Sequence, residues 1–363
     1  MPDVLVFGAT GYTGKLVAHA LAERGASFAI AGRNRDKLEA LAAATGDPDI
    51  RVAAAGDVDS LASALEDCRV LLTCVGPFAE LGWTAVEAAL RAKVHYLDST
   101  GEGAFIGELL ERYEGEARAA GIAMAPAIGF DEVPGDVAAT LAAEGFDQPD
   151  IVLTYAIPPS ASHGTIKSAL RIVTGRGPWV VDRKQVLISA GQHSRWAPMP
   201  PPLGPKPAVS FPLANGHLVP LHIDVNSLQL YVTTSPTRRL ALKPILPLLR
   251  AGYELPGVQA LVERGVDMVQ QVEGPDERHR KRWWTILAEA RSGDRWRNVT
   301  IMGRDVYGLT AELLASMAMM MALEDYERSG VLAPVQAADV DWLEKRLLEC
   351  DCSIETYAPT TST

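Results

Sequence analysis

Short apolar runs alternate, over roughly the first third of the chain, with segments whose apolar positions recur three and four residues apart. The first pattern is typical of buried β-strands and the second of amphipathic α-helices. Strands that alternate with helices indicate a parallel, doubly wound sheet. We therefore predict a Rossmann-type α/β domain over residues 1–150, with strands at Val4–Phe7, Phe28–Ala31, Arg51–Ala55, Val70–Val75, Val94–Asp98 and Ile122–Pro126.

The alternation stops near residue 150, and the next segment has a different pattern. Strand-like runs dominate there, which indicates a second, α+β domain built on a mixed sheet over residues 151–305. The proline-rich stretch Pro198–Pro205 predicts a loop or lid, because proline lacks a backbone donor. Residues 306–363 are predicted to form a C-terminal helix and tail that return to the Rossmann domain. The second domain is predicted to contain strands Ile151–Ile157, Leu221–Asp224, Leu228–Val232, Trp283–Ala290 and Trp296–Met302, and a helix Thr165–Val173.

A glycine-rich turn joins the first predicted strand to the first predicted helix. Gly8, Gly11 and Gly14 have the spacing of a dinucleotide fingerprint, although an ordinary strand-to-helix turn is the alternative. In the fingerprint the first glycine makes a tight turn, the second admits a pyrophosphate and the third lets helix and strand pack closely. The amide groups of the first helical turn then face the anion. The predicted cofactor-binding residues are Gly8, Ala9, Thr10, Gly11, Tyr12, Thr13 and Gly14.

The residue that follows the second strand indicates which dinucleotide is bound. An NAD site places an acidic residue there to accept hydrogen bonds from the ribose hydroxyls, whereas this chain has Arg33. A guanidinium pairs with a 2′-phosphate through forked, charge-assisted hydrogen bonds. We therefore predict that NADP(H) is the cofactor and that Arg33, Asn34 and Arg35 contribute to its site; a solvated surface arginine is the alternative.

Further polar and glycine-containing segments follow the other strands at the same edge of the predicted sheet. Ligands of parallel α/β sheets bind at the carboxyl ends of the strands. Asp57 has the position of an adenine contact, while Asp59 and Ser60 are candidate caps of the next helix. The cofactor-binding residues predicted at this edge are Asp57, Val58, Val75, Gly76, Pro77, Phe78, Ser99, Thr100 and Gly101.

Composition narrows the class of protein and of partner. The net charge of −11, without a basic tract, argues against nucleic-acid binding. Four cysteines in 363 residues are too few for a disulfide scaffold. Cys350 and Cys352 lack a second Cys/His pair, so we expect free thiols and no metal. The chain shows no signal peptide and no apolar run of about 18 residues, so we expect a cytoplasmic protein without a membrane span.

Several segments resemble the saccharopine dehydrogenase-like reductases, in particular the branch that includes the trans-acting enoyl reductases of complex-lipid biosynthesis. The resemblance implies the same two-domain fold and NADP(H) binding by Gly8, Gly11, Gly14 and Arg33. It also implies that Gly76 and Pro77 lie against the nicotinamide ribose. The segments that carry it are Val75–Phe78, Val86–Ala89, Tyr96–Glu102, Gly129–Asp136, Ser162–Thr165, Gly303–Ala311 and Gly330–Pro334.

The resemblance implies an NADPH-dependent reductase and leaves the substrate open. We favour hydride transfer to an apolar or conjugated, enoyl-type small molecule, because Leu240–Leu249 and Leu313–Leu323 are apolar enough to line a pocket or contact a lipid surface. Membership of the hydrophobic core is the alternative that the pattern of both stretches favours. The alternative functions are an imine-reducing, saccharopine-type C–N dehydrogenase and a non-catalytic NADP(H)-binding protein.

Candidates for catalysis lie mainly in the second domain. His163 and Lys167 share one face at the start of the helix predicted there, and a histidine can protonate a carbanion near neutral pH. A solvated helix surface is the alternative for this pair. Tyr155 and Asp131 are further candidates. An exposed face or edge of the mixed sheet predicts a homodimer.

Overall fold

The computed structural model describes residues 2–157, 172–237, 246, 250–253, 257–258 and 281–359 of the 363-residue chain. The chain divides into two compact units, each made of two separate stretches. Unit 1 comprises Met1–Val133 and Val306–Asp339, and unit 2 comprises Pro134–Asp305 and Val340–Thr363.

Unit 1 begins with the βα units that the hydrophobic pattern predicts. The central strands are buried along their whole length, as expected where helices cover both faces of a parallel sheet. The strands are β1 (Val4–Phe7), β2 (Phe28–Gly32), β3 (Asp49–Val52), β4 (Val70–Thr73), β5 (His95–Asp98) and β6 (Ala123–Ala125). The helices are α1 (Tyr12–Glu23), α2 (Arg35–Ala44), α3 (Val58–Ser63), α4 (Phe78–Ala92) and α5 (Gly103–Ala120).

The described strands of unit 1 form a seven-stranded parallel sheet in the order β3-β2-β1-β4-β5-β6-β15, where β15 is Gly330–Val331. Strand order reverses between β1 and β4, so the loops that follow these two strands diverge and leave a crevice at the carboxyl edge of the sheet. The predicted Rossmann-type, doubly wound sheet is confirmed.

The second stretch of unit 1 completes this sheet and its helical layer. It contains α8 (Val306–Met321), β15 and α9 (Pro334–Ala337). Helix α8 packs on α1, where the rings of Tyr12 and Tyr307 meet edge to face with centroids 5.0 Å apart. Arg24 of α1 also forms an ion pair with Glu312 of α8.

Unit 2 is built on a mixed sheet, as predicted. Its described strands are β7 (Asp150–Ala156), β8 (Arg176–Val181), β9 (Lys184–Ser189), β10 (Ser194–Ala197), β11 (Lys206–Ser210), β12 (Ser227–Thr233), β13 (Trp284–Ser292), β14 (Arg295–Gly303) and β16 (Ser353–Tyr357). Their order is β10-β11-β12-β7-β13-β14-β16, and the β8–β9 hairpin joins β12. The β7–β12 pair is parallel, and the other described pairs are antiparallel.

Helices of unit 2 pack against strands of its sheet. They include α6 (Val133–Ala143), α7 (Asn215–Leu218) and α10 (Val340–Glu349). Helix α6 lies close against β7, since a methyl group at Gly135 would collide with the Tyr155 hydroxyl. In the described part of the chain, no helix has the length and apolar character needed to cross a membrane.

The structure differs from the sequence-based expectations in particular segments. The strand predicted at Leu221–Asp224 is wrong, because a 3₁₀-helix at Val219–Leu221, with Pro220 in its first turn, precedes irregular chain there. Residues 134–150 and 340–363 belong to unit 2, since α6 packs on β7 and β16 pairs with β14. Most of the predicted helix Thr165–Val173, as far as residue 171, lies outside the described residues.

Candidate functional site

Each glycine in the turn between β1 and α1 is required for a different structural reason. Gly8 has φ +80°, and a methyl group there would lie 2.6 Å from Val75 Cγ2. At Gly14 a methyl group would collide with the Gly8 carbonyl oxygen and lie 2.8 Å from Ala9 Cα. Gly8 therefore permits the turn, and Gly14 permits the close approach of helix and strand.

Gly11 differs from these two glycines because the space above it is open. Among the described residues, the only atom within 4 Å of a methyl group at Gly11 would be the Gly8 carbonyl oxygen, at 3.3 Å. Gly11 is the N-cap of α1, it offers no side-chain cap, and the first turn of the helix carries no acidic residue. The helix N-terminus and the open space above it fit a pyrophosphate group.

The carboxyl end of β2 presents the residues predicted to select the cofactor. Arg33 is exposed, and its side chain makes no hydrogen bond or ion pair within the part of the chain that the structure describes. Asn34 caps α2 by accepting a hydrogen bond from the Lys37 amide at 3.0 Å. Arg35 lies 3.8 Å from Glu39, one turn along the helix. Arg33 is thus the guanidinium most available for a 2′-phosphate.

Asp57 begins α3 at the end of the loop that follows β3. Its Oδ1 atom accepts a hydrogen bond from the Ser60 amide at 2.9 Å, so Asp57 itself is the helix cap. Asp57 and Val58 stay predictions as adenine contacts.

The loop after β4 is held by a carboxylate from the next loop. Glu102 is 4% exposed, and its two oxygens accept the Phe78 amide at 2.9 Å and the Ala79 amide at 3.1 Å. These amides belong to the first turn of α4, whose N-cap, Pro77, offers no side-chain acceptor. The segment Val75–Phe78 is thereby fixed beside the glycine turn.

The loops after β5 and β6 are tied together by Asp98, which is fully buried. Its Oδ1 atom accepts the Thr100 amide at 2.8 Å and the Ala127 amide at 2.9 Å, and its Oδ2 atom accepts the Tyr96 hydroxyl at 2.5 Å. Burial raises the pKa of Asp98 to about 6, against the lowering effect of these hydrogen bonds. Ala127 adopts φ +63°, so this junction also holds a residue in the strained left-handed region.

Two further carboxyl groups follow β6 and face the β5 loop. A methyl group at Gly101 would lie 3.5 Å from Glu132 Oε1 and 3.6 Å from Asp131 Oδ2. Burial raises the pKa of Asp131 to about 6. The pKa of Glu132 lies well above its ordinary value because of burial and of the nearby charges of Asp131 and Asp98. Both carboxyl groups beside Gly101 therefore bind a proton more tightly than ordinary carboxyl groups do.

The start of α8 lies at the same edge of the sheet. Thr310 Oγ1 accepts a hydrogen bond from the Phe130 amide at 3.0 Å, and Tyr307 contacts Tyr12 of the glycine turn. The segment after β6 and the first turn of α1 are therefore both anchored to a helix that follows them by more than 170 residues.

Of the three residues predicted to be catalytic, the structure describes only Tyr155. Tyr155 lies in unit 2, fully buried, with its hydroxyl 2.6 Å from Asn215 Oδ1. His163 and Lys167 lie outside the described residues. The catalytic roles of these three residues stay predictions. Within the described ranges no group of three or more His, Cys, Asp or Glu side chains is arranged to hold a metal ion.

Sequence reasoning missed the roles of Asp98 and Glu102. Both lie in the segment Tyr96–Glu102 that carries part of the family resemblance, but neither was predicted to take part in the site. Their contacts join loops that are 23 to 29 residues apart in sequence. A buried carboxylate after a parallel strand was the available signal, since such a group must find donors.

Comparison with known proteins adds to this geometry. Residues 4–124 match the family model of the saccharopine dehydrogenase NADP binding domain. The matched range contains the glycine turn, Arg33 and the loops after β4 and β5. Unit 1 binds NADP(H). The charge and exposure of Arg33 and the open helix end at Gly11 fit its 2′-phosphate and pyrophosphate groups.

Curated relatives match over a similar range. A trans-acting enoyl reductase of Mycobacterium leprae is 36% identical over 141 residues, which are 37% of this chain and 34% of the relative. A putative trans-acting enoyl reductase of Mycobacterium tuberculosis is 35% identical over 141 residues, which again are 37% of this chain and 34% of the relative. The match thus spans about a third of the length of these relatives.

A solved structure resembles the fold of the whole chain. Saccharopine dehydrogenase (L-Glu forming) from Saccharomyces cerevisiae superposes with a TM-score of 0.66 and 14% sequence identity. The match covers 99% of this chain and 100% of that protein. At this identity the likeness concerns the fold, a Rossmann-type unit combined with a mixed-sheet unit.

Proposed function

We propose that this protein is an NADPH-dependent reductase that transfers hydride to a conjugated, enoyl-type substrate. The observation that carries the proposal is the NADP-binding edge of unit 1, with an open helix N-terminus at Gly11 and an exposed Arg33. The identity shared with trans-acting enoyl reductases across this unit supports the enoyl class. An apolar substrate and a homodimer are parts of the same proposal.

Reduction of a conjugated double bond needs a hydride and a proton. Bound NADPH supplies the hydride, and the carbon next to the carbonyl group must then receive a proton. Asp131 and Glu132 have raised pKa values and lie beside Gly101, at the β5 end of the cofactor edge. We therefore assign the proton transfer to this pair, with Asp131, the more exposed of the two, facing the substrate.

The first experiment tests the reaction class. The full-length protein is incubated with NADPH and either an enoyl thioester or a mixture of an amine and an α-keto acid, and the loss of NADPH absorbance is followed. We expect turnover with the enoyl thioester. Turnover only with the amine mixture would favour the saccharopine-type alternative, and none with either, despite tight NADPH binding, would favour a non-catalytic protein.

The second experiment tests the proton source. Asp131→Asn should lower turnover by about 10²–10⁴-fold, with unchanged affinity for NADPH, because it removes a general acid but no cofactor contact. His163→Ala and Lys167→Ala are the comparison variants. If His163→Ala gives that loss and Asp131→Asn does not, the proton donor is the one predicted from the sequence.

A further inference from the structure

The N-terminus of α4 is filled by a side chain from elsewhere in unit 1. Both carboxylate oxygens of Glu102 accept first-turn amides of the helix, from Phe78 at 2.9 Å and Ala79 at 3.1 Å. A buried carboxylate at this end is favoured by the helix dipole and by the two hydrogen bonds. The α4 end therefore offers no vacant anion site, unlike the α1 end at Gly11.

Glu102 is itself fixed by the network described above. Its amide donates to Thr100 Oγ1 at 3.0 Å, and the Thr100 amide donates to Asp98 Oδ1. Asp98 also accepts the Ala127 amide. A continuous set of buried hydrogen bonds thus links the loops after β4, β5 and β6.

These three loops form the half of the edge that lies away from Arg33. The 2′-phosphate of the adenosine is assigned to the end of β2, and the pyrophosphate to the start of α1 between β1 and β4. Since a dinucleotide runs across the carboxyl ends at the point of strand reversal, its nicotinamide half lies on the side of β4 and β5. The β4 loop passes close to the glycine turn, since a methyl group at Gly8 would lie 2.6 Å from Val75 Cγ2.

We propose that Glu102 is a positioning residue for the nicotinamide half of NADP(H). By filling the N-terminus of α4, it fixes the Val75–Phe78 loop in the conformation that receives the nicotinamide ribose. This role rests on NADP(H) binding by unit 1 and is independent of the reaction that follows.

A helix cap of purely structural importance would behave differently from a positioning residue. Its loss would loosen unit 1 and weaken every part of the cofactor site equally. Loss of a positioning residue in the β4 loop should weaken only ligands that carry the nicotinamide riboside. The fragment 2′-phosphoadenosine 5′-diphosphate contains the groups assigned to Arg33 and α1 but lacks the whole nicotinamide riboside, so it separates the two cases.

The experiment compares the affinities of Glu102→Gln and the unaltered protein for NADPH and for 2′-phosphoadenosine 5′-diphosphate by calorimetry. The glutamine amide group cannot accept the second backbone N–H, so we expect NADPH to bind about tenfold more weakly. The fragment should bind within about twofold of its original affinity. Equal losses for both ligands, or no loss for NADPH, would overturn the proposal.

A matched variant controls for the loss of a glutamate that accepts a backbone amide. Glu114 accepts the Val331 amide at the β15 edge of the same sheet, so Glu114→Gln should leave both affinities unchanged. Glu102→Asp, which keeps the charge with a shorter side chain, is measured in the same way. If Glu102→Gln does not fold, Glu102→Asp decides the question through the same difference between NADPH and fragment. Because no substrate is used, failure of the proposed reductase activity leaves this result unaffected.

Discussion

At the scale of single residues, the site combines one exposed cation with several buried carboxyl groups. The Arg33 side chain makes no hydrogen bond or ion pair within the described residues, whereas Asp98 and Glu102 each accept hydrogen bonds from more than one group. The cation is free to meet a ligand, as we propose, and the carboxylates hold the loops after β4, β5 and β6. We therefore propose that charge at this edge serves binding on the β2 side and positioning on the β4–β5 side.

Arg33 should decide between the two nicotinamide cofactors. A forked guanidinium–phosphate pair contributes about 1.5–3 kcal/mol, so we expect NADPH to bind at least about tenfold more tightly than NADH. Arg33→Ala should remove most of this preference while leaving NADH affinity unchanged. Calorimetric titration of both cofactors measures it, with Arg112→Ala as the control, since Arg112 is an exposed arginine of α5 that pairs with Glu108. Equal affinities in the unaltered protein would contradict the assignment.

The raised pKa of Asp131 predicts a pH dependence of stability. An unfolded aspartate has a pKa of about 4, and burial raises the pKa of Asp131 to about 6 in the folded protein. The folded state then binds the proton more tightly than the unfolded chain. The stabilising contribution is complete below about pH 4 and is lost as pH rises through about 6.

Asp131→Asn should therefore raise the melting temperature, relative to the unaltered protein, more at pH 7.5 than at pH 4. The neutral amide removes the cost of a buried charge that exists only at the higher pH. Differential scanning calorimetry at both pH values measures the difference, and Asp294→Asn, in the exposed β13–β14 turn, is the control. A larger gain at pH 4 would show that the pKa is not raised.

At the scale of elements, two helices begin at the same edge with different partners for their first-turn amides. Helix α1 begins at a glycine with open space above it, and helix α4 begins with the Glu102 carboxylate in place. The two helix ends have similar dipoles, so the dipole alone does not decide which one binds the pyrophosphate. The two helix ends differ because the Glu102 carboxylate occupies the first turn of α4 but no described side chain caps α1.

The glycines of α1 should respond in opposite ways to the same substitution. Gly14→Ala should destabilise unit 1 by about 1–3 kcal/mol, because its methyl group would meet the Gly8–Ala9 backbone. Gly11→Ala should leave the melting temperature nearly unchanged and weaken NADPH binding, because its methyl group enters the pyrophosphate space. Thermal melts and cofactor titrations of both variants test this contrast. Normal NADPH binding by Gly11→Ala would place the phosphate site elsewhere.

At the scale of the whole molecule, neither unit is a continuous segment. Unit 1 needs α8 and β15, which pack on α1 and extend the sheet beside β6. Unit 2 needs β16, which pairs with β14. The chain therefore crosses between the units more than once, and each unit closes only after most of the sequence is present.

Residues 1–133 alone should consequently fail to form a stable domain. Without α8, the ring of Tyr12 loses Tyr307 and Arg24 loses its ion pair, and without β15 the β6 edge is unpaired. We expect residues 1–133 joined by a short linker to 306–339 to melt cooperatively. Circular dichroism melts of both polypeptides test this, and a cooperative melt of residues 1–133 alone would contradict it.

The cofactor half of the predicted site rests on signals in the sequence that are more local than those of the catalytic half. The glycine spacing and Arg33 are local signals, since each residue acts within one strand–turn–helix unit. The Asp98 and Glu102 contacts are not local, because their partners come from loops after other strands. Tyr155, which has the chemistry of a proton donor, is buried against Asn215.

By itself the sequence determined the βα alternation of unit 1, the dinucleotide fingerprint and the arginine that indicates NADP(H). These features follow from hydrophobic periodicity and from residues a few positions apart, so no long-range contact is needed to recognise them. Tertiary structure alone decided which carboxyl groups brace the loops, which helix N-terminus remains open, and which sheet receives each C-terminal segment. Those outcomes depend on burial and on hydrogen bonds between residues distant in the chain, and a linear pattern does not encode which partners will meet.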